Sequence, residues 1–285
     1  GIRALSDTGK ITITHTGDIE TYLGGGFGIR AITKGDIAIT VDGDISTSGI
    51  ASAILAQSIS GNVILDTDGA ISTERENSFG LQAVAKDGTV FVTHVGTITT
   101  LGEGSEAIDA EGSKGVEISF AGEISTAAKN ATGIHAESKA GGISIKSDGD
   151  ISVAGYGSRA ISAVAENEIL ITSTGDLTTG STYGAGIFAT SNAGGVTVYS
   201  TGNIATKGNG GFGISAFTSK GGVFIVSDGD IDIGGAADGI NGYSADGNVT
   251  VVARGAITTI QNSSSGVEVE AKNGEAIVAL AGPFN

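Results

Sequence analysis

The chain has 285 residues, with 15 Lys and Arg against 31 Asp and Glu, and its formal net charge of −16 has the wrong sign for binding nucleic acid or an anionic membrane. It contains 49 Gly, one Pro and no Cys, which excludes disulfides, thiol catalysis and thiolate metal sites, and the absence of a Gly-X-Y period argues against collagen. No apolar run approaches the ~20 residues of a spanning helix, and we find no signal peptide, so membrane insertion is not expected. Because the first residue is Gly1 rather than Met, we expect a processed product or a fragment.

A hydrophobic anchor residue recurs after a Gly-Asp pair or a variant of it, at intervals of 26 or 27 residues. The anchors are Ile19, Ile45, Ile71, Ile98, Ile124, Ile151, Leu177, Ile204, Ile231 and Ile257, with Pro283 in the same phase. A fixed period of this length indicates a solenoid built from one structural unit per repeat.

Each repeat contains three short segments in which apolar and polar residues alternate, the pattern of β-strands. The first starts at the anchor, as in residues 45–47; the second reads Gly-Ile-x-Ala, as in residues 28–31; the third reads Val-x-Val or its Ile equivalents, as in residues 63–65. Three strands per repeat predict an all-β, right-handed parallel β-helix (β-solenoid) with 26–27 residues per coil, about 11 coils and a single domain over residues 1–285. Coils stacked about 4.8 Å apart would make a rod on the order of 50 Å long.

The repeats, of the form Ser-x-Gly-Asp-Ile-x-Thr … Gly-Ile-x-Ala … Gly-Gly-Val-x-Val, resemble those in passenger regions of bacterial autotransporters and related surface adhesins. The resemblance extends from Gly1 to about Gly282. It implies the parallel β-helix architecture and export to the cell exterior or the bacterial cell surface, but it implies no ligand. Neither a membrane barrel nor a recognisable capping segment is visible in the sequence, so we expect a passenger portion or a relative that uses the same solenoid differently.

Acidic residues directly before the anchors form the first candidate site. Stacking would align them along the rod, and some turns carry a second acid, which adds oxygen ligands of the kind that Ca²⁺ prefers. These Ca²⁺ candidates are Asp42, Asp44, Asp148, Asp150, Asp228 and Asp230. The alternative is turn chemistry, in which each Asp bonds its own backbone and points into water. Ala70, Thr97, Asn203 and Ala256 interrupt the row, so we favour turn chemistry and expect no required cofactor.

Residues for catalysis do not converge in the sequence. Connections vary by one residue per coil, which leaves no long loop to wall a cleft, and a β-helix glycosidase or lyase would need one. His15 and His94 share an inward phase three coils apart, and His135 occupies an outward position of the second strand. We find no Ser or Thr with a His and a carboxylate in a matching register that singles it out as a nucleophile, so we predict that the chain is not an enzyme.

Apolar side chains occupy outward positions of the third strand, where polar residues would be expected if the face met only water. They are Ile64, Phe91, Leu170, Tyr199, Phe224, Val226 and Val252. Either a lateral protein or glycan partner covers this face, or its apolar composition reflects only the β-propensity of branched and aromatic residues. Both interpretations stay open.

The two ends of the rod would expose unpaired strands around an apolar cross-section. The sequence begins inside a repeat and stops two residues past the Pro283 anchor position, so the rod either continues in a longer parent chain or stacks head to tail with other copies. The end residues predicted to meet in such a contact are Ile2, Ala4, Ile11, Ile13, Ile257, Val267, Ile277 and Phe284.

The leading prediction is therefore a non-enzymatic extracellular rod that serves as an adhesin or scaffold, with head-to-tail assembly into a fibre as its more specific form. The alternative is a carbohydrate-active enzyme or glycan-binding module on the same scaffold. A Ca²⁺-stabilised rod is a third alternative.

Overall fold

Each alternating segment of a repeat folds as a strand, and strands of the same phase pair in parallel from one coil to the next. The computed structural model describes residues 1–22, 24–180, 182–261 and 264–282. In these ranges the chain is an all-β parallel solenoid of about ten turns, which confirms the predicted fold class. No helix among the described residues is long and apolar enough to cross a membrane.

The strands follow one another at short intervals, with connections of seven residues or fewer. In chain order they are β1 (Ile2–Leu5), β2 (Ile11–Thr16), β3 (Ile19–Thr21), β4 (Ile29–Thr33), β5 (Ile37–Asp42), β6 (Ile45–Thr47), β7 (Ile54–Ser58), β8 (Val63–Asp68), β9 (Ile71–Thr73), β10 (Leu81–Ala85), β11 (Thr89–Thr100), β12 (Ile108–Gly112), β13 (Gly115–Thr126), β14 (Ile134–Ser138), β15 (Ile143–Asp148), β16 (Ile151–Val153), β17 (Ile161–Ala165), β18 (Ile169–Ser173), β19 (Leu177–Thr179), β20 (Ile187–Ser191), β21 (Val196–Ser200), β22 (Ile204–Thr206), β23 (Ile214–Thr218), β24 (Val223–Ser227), β25 (Ile231–Ile233), β26 (Ile240–Ser244), β27 (Val249–Ala253), β28 (Ile257–Thr259), β29 (Val267–Ala271) and β30 (Ala276–Leu280).

The Gly-Ile-x-Ala segments form one eleven-stranded sheet, here called sheet A, in the order β1-β4-β7-β10-β12-β14-β17-β20-β23-β26-β29. The third segments and the anchor segments form the other two faces of the coil, here called sheet B together. Every pairing joins equivalent phases: for example, Ile134 pairs with Ile161, and Ala136 with Ala163. The 26- and 27-residue spacing therefore predicted the register correctly.

Inward side chains form a continuous column of small aliphatic groups along the rod. In sheet A the first and third residues of a strand point inward, as Ile187 and Ala189 do, and both are fully buried. In the third segment the same alternation buries Val196 and Val198. Burying an Ile or Val side chain contributes roughly 1.5–3 kcal/mol to the free energy of unfolding. Each added coil therefore stabilises its neighbours by extending the core.

Glycine is required at two kinds of position. At the corner before an anchor, Gly43 has φ +144°, and a Cβ there would lie 2.3 Å from the carbonyl oxygen of Gly17 in the preceding coil. Before the strands of sheet A, a Cβ on Gly133 would lie 2.6 Å from the Ala160 carbonyl oxygen and from Cγ2 of Ile151. Close stacking of coils, together with positive φ, therefore explains much of the glycine content.

The recurring Thr two residues past the anchor closes the next corner. Oγ1 of Thr73 donates to the carbonyl oxygen of Ser78 at 2.6 Å, and Oγ1 of Thr126 donates to that of Ala131 at 2.6 Å. Both hydroxyls are buried, so the bond satisfies a hydroxyl and a carbonyl that could not reach water.

Two adjacent coils depart from the common pattern. β11 and β13 run through the corner as single strands of 12 residues each, where the other coils have two separate strands. In these coils the residue before the anchor is Thr97 or Glu123, where the other coils have Asp, Asn or Ala.

Candidate functional site

The Asp residues before the anchors bond to the backbone of the adjacent coil. Oδ1 of Asp44 accepts from the N–H of Ala70 at 2.7 Å, and Oδ1 of Asp150 accepts from the N–H of Asp176 at 2.9 Å. Asn203 fills the same role in its coil, where its Oδ1 accepts from the N–H of Asp230 at 3.0 Å. The expectation that each Asp bonds its own backbone was wrong, because the stacked coils bring the next coil's N–H within reach.

The other acids of the Ca²⁺ candidate pairs lie apart from this ladder. Asp42 is exposed, Asp148 accepts from Oγ1 of Thr174 at 2.6 Å, and Asp228 forms an ion pair with Arg254. Asp230, in contrast, belongs to the ladder, since its Oδ1 accepts from the N–H of Ala256 at 2.7 Å. Within the described ranges, no group of three or more His, Asp and Glu side chains is placed to hold a metal ion. Ca²⁺ binding stays an untested alternative.

The predicted lateral face does point away from the core. Ile64, Phe91, Leu170, Tyr199 and Phe224 are exposed, and Val226 and Val252 are half-buried. Tyr199 and Phe224 pack edge to face with ring centroids 5.9 Å apart. Whether a partner covers this face stays a prediction.

The predicted end residues differ in accessibility. Ile11 and Ile257 lie in β2 and β28, which each pair with one neighbouring strand only, but their side chains are buried. Ile2, Ala4, Ile13 and Val267 are half-buried, Ile277 is 47% exposed, and Phe284 lies outside the described residues, as does Pro283.

The inward histidine His94 is fully buried between two neighbouring coils. Its Nδ1 lies 2.8 Å from Oγ1 of Thr67, and its ring stacks on Phe120 with centroids 5.9 Å apart. Burial lowers the pKa of His94 to about 4, because its effect outweighs the opposite effect of the nearby Asp68 carboxylate. The neutral ring therefore serves as a core side chain, while His15 is half-buried in the first coil.

The outer face of sheet A carries a polar site that the sequence analysis missed. One outward side chain per strand forms a column along the rod, which we call the outer column. Its members are Arg3, Arg30, Leu55, Gln82, Asp109, His135, Ser162, Phe188, Ser215, Asn241 and Glu268. Several are buried although they face outward: Asp109 is 4% exposed, Ser162 2% and Ser215 1%. Neighbouring side chains therefore cover this column.

Part of this cover comes from residues that precede a member of the outer column by three positions in the chain. Arg159 donates from Nη1 to Oγ of Ser162 at 3.2 Å, and Asn241 donates from Nδ2 to Oδ2 of Asp238 at 3.5 Å. Glu106 has the same position relative to Asp109. The polar members of the outer column from Gln82 to Asn241, together with these covering residues, make a band of buried and half-buried polar groups.

An acidic cluster occupies the middle of this band. Burial, reinforced by the charges of Asp109 and Glu111, raises the pKa of Glu106 to about 9. Burial and Glu111 also raise the pKa of Asp109 to about 7, although Gln82, which donates to its Oδ2 at 3.1 Å, acts in the opposite direction. Glu106 is therefore protonated at neutral pH and can donate as well as accept hydrogen bonds.

Asp109, His135 and Ser162 occupy successive rungs of the outer column, because Asp109 pairs with His135 and His135 pairs with Ser162. This alignment was not recognised from the sequence, although the 26- and 27-residue spacing of the three residues predicts it. No hydrogen bond joins the three side chains among the described residues; Ser162 is held by Arg159 and Asp109 by Gln82. The arrangement lacks the contacts of a nucleophile–base pair.

An aromatic strip follows towards the C-terminal end of sheet A; we define it as Phe188, Phe217 and Tyr243. The centroids of Phe188 and Phe217 are 6.5 Å apart, and those of Phe217 and Tyr243 are 6.2 Å apart, with planes inclined by 47° and 41°. The guanidinium of Arg159 lies over the Phe188 ring, 3.7 Å from its centroid. The strip therefore crosses three successive coils, with a diagonal step from Phe188 to Phe217 and a direct cross-strand pair of Phe217 with Tyr243, and the Arg159 cation stacks on its first ring.

No protein family, curated protein or solved structure matches this chain.

Proposed function

We propose that this chain is a non-enzymatic structural rod outside a bacterial cell, where it acts as an adhesin or scaffold. The observation that carries the proposal is the uniform stacking: equivalent residues pair from coil to coil, and the strands are joined by seven residues or fewer. Backbone hydrogen bonds parallel to the rod axis, together with a continuous core, make such a rod stiff. The resemblance of its repeats to autotransporter passengers supports the extracellular location.

Head-to-tail stacking of copies is the more specific part of this proposal. The first coil presents Ile2 and Ala4, and the last complete strand of sheet A presents Val267 and Val269 at the same inward phases. All four side chains are half-buried. Pairing β29 of one copy with β1 of another would continue the inward columns and bury both open edges.

Light scattering over a concentration series tests this assembly. We expect the weight-average mass to rise with concentration and Val278→Lys to suppress the rise, because Val278 is an exposed residue of the terminal strand β30. Thr93→Lys is the matched control, since Thr93 is an exposed outward residue in the middle of the rod. A constant monomer mass, or equal loss in the control, would refute head-to-tail stacking.

The adhesin role predicts that beads coated with the purified chain attach to cells or to an extracellular matrix, and that the chain releases no reducing sugar from neutral or acidic polysaccharides. Reducing-sugar release that disappears in Asp109→Asn would replace the rod proposal with the carbohydrate-active alternative. Glycan binding without turnover has support of its own, because the outer face of sheet A combines aromatic rings with polar groups.

A further inference from the structure

The aromatic strip differs from the other exposed apolar groups in its polar surroundings. Arg159 stacks on the first ring of the strip and donates one hydrogen bond, to Ser162. Arg159 forms no ion pair with another described residue, since the one ion pair there joins Arg254 to Asp228. Its guanidinium therefore has further N–H groups to donate. The hydroxyl of Ser215, between Phe188 and Asn241 in the outer column, is buried and has no hydrogen-bond partner. Unpaired polar groups thus flank the rings.

We propose that the aromatic strip binds an uncharged polysaccharide chain, whose sugar rings stack on Phe217 and Tyr243, while Arg159 covers the ring of Phe188 and donates to a sugar hydroxyl. This inference rests on the proposed adhesive function and gives it a class of ligand. The ligand would run along the rod across three coils, with its hydroxyl groups bonded to Arg159 at the Phe188 end and to Asn241 near the other end.

The shape of the strip favours a sugar chain over a flat apolar partner. The three rings are half-buried, so each presents part of its surface rather than a whole side chain. Successive planes are inclined by 47° and 41°, which gives separate facets instead of one smooth surface. A pyranose chain offers matching units, because each ring has an apolar C–H face and a hydroxyl edge.

Charge favours an uncharged chain. The coil beyond Tyr243 carries two exposed carboxylates: Glu268 pairs with Asn241, and Glu270 pairs with Tyr243. These groups and the net charge of −16 repel polyanions. At the opposite end the guanidinium of Arg159 repels cations.

Native affinity electrophoresis tests the proposal with gels that contain galactomannan, xyloglucan or hydroxyethylcellulose, and with polygalacturonate as the acidic comparison. We expect at least one neutral polysaccharide to retard the chain, and Phe217→Ala/Tyr243→Ala to weaken that binding about tenfold or more. Tyr156→Ala/Tyr183→Ala is the matched control, because it removes an exposed edge-to-face aromatic pair from the connections that precede β17 and β20. The control should be retarded like the wild type.

Three results would overturn the inference: no retardation in any neutral gel, retardation by polygalacturonate alone, or equal losses in the strip variant and the control. Circular dichroism of both variants establishes that the solenoid is intact. The particles in the same samples are viewed by electron microscopy. Rods without glycan binding would refute the binding strip and leave the rod proposal standing, whereas the absence of rods would refute the proposed function itself.

Discussion

Replacing Glu106 with Gln should stabilise the solenoid at neutral and alkaline pH. Glu106 lies in the half-buried band on sheet A, and its pKa rises from 4.5 to about 9, chiefly because of burial. Below pH 4.5 the side chain is protonated in both the folded and the unfolded chain. Between the two pKa values, only the folded chain holds the proton, so stability falls as pH rises through this window.

The size of the effect follows from the width of this window. Each pH unit above 4.5 lowers the free energy of unfolding of the wild type by about 1.4 kcal/mol, which amounts to on the order of 3 kcal/mol at pH 7. Gln has nearly the same shape and stays neutral, so Glu106→Gln avoids this loss. Its advantage over the wild type should be smallest near pH 4.5, about 3 kcal/mol larger at pH 7, and largest near pH 9.

Urea denaturation followed by circular dichroism at pH 4.5, 7 and 9 measures this difference. Glu103→Gln is the matched control, because Glu103 is exposed on the same connection, and its effect should stay within about 0.5 kcal/mol at every pH. If the difference between Glu106→Gln and the wild type does not change with pH, the carboxyl group is not desolvated in the folded chain and the reasoning fails.

Two further substitutions test the core and the corner ladder. His94→Phe introduces the side chain that Phe120 has at the same phase one coil along. The wild type should lose about 3 kcal/mol of unfolding free energy between pH 6.5 and 4, because the unfolded chain takes up a proton on His94 while the folded chain, with a His94 pKa of about 4, does not. The variant should lack this loss, and parallel denaturation profiles for variant and wild type would contradict the prediction. Asp44→Asn should leave the free energy of unfolding nearly unchanged, since Asn203 makes the equivalent bond, whereas Asp44→Ala should cost about 1 kcal/mol in urea denaturation. Equal losses for Asn and Ala, together with a rise in melting temperature in millimolar Ca²⁺, would instead favour the cation interpretation.

Spacing alone predicted the strands, their parallel register and the inward columns. This was possible because each phase recurs every 26 or 27 residues, so equivalent residues such as Ile134 and Ile161 have to pair when coils stack. The same spacing placed Asp44 at a corner, but it did not reveal that the carboxylate reaches the N–H of Ala70. That bond depends on the distance between coils at the corner.

The polar band on sheet A was missed for a different reason. Alternation assigns Asp109 and Ser162 to the outward side, where side chains are expected to be solvated. Their burial arises from side chains such as Arg159, which lie beside the strand and fold over it. A one-dimensional pattern gives the direction of a side chain, but the extent of its cover depends on how the neighbouring connection bends.

Electron microscopy of the purified chain over a range of concentrations tests the central claim most directly. Each particle should be a straight rod about 50 Å long, from about 4.8 Å per coil, and at higher concentration the rods should join end to end into fibres of the same width. Globular particles would contradict the structural rod, and discrete rods of constant length at all concentrations, with and without Ca²⁺, would contradict its assembly into fibres.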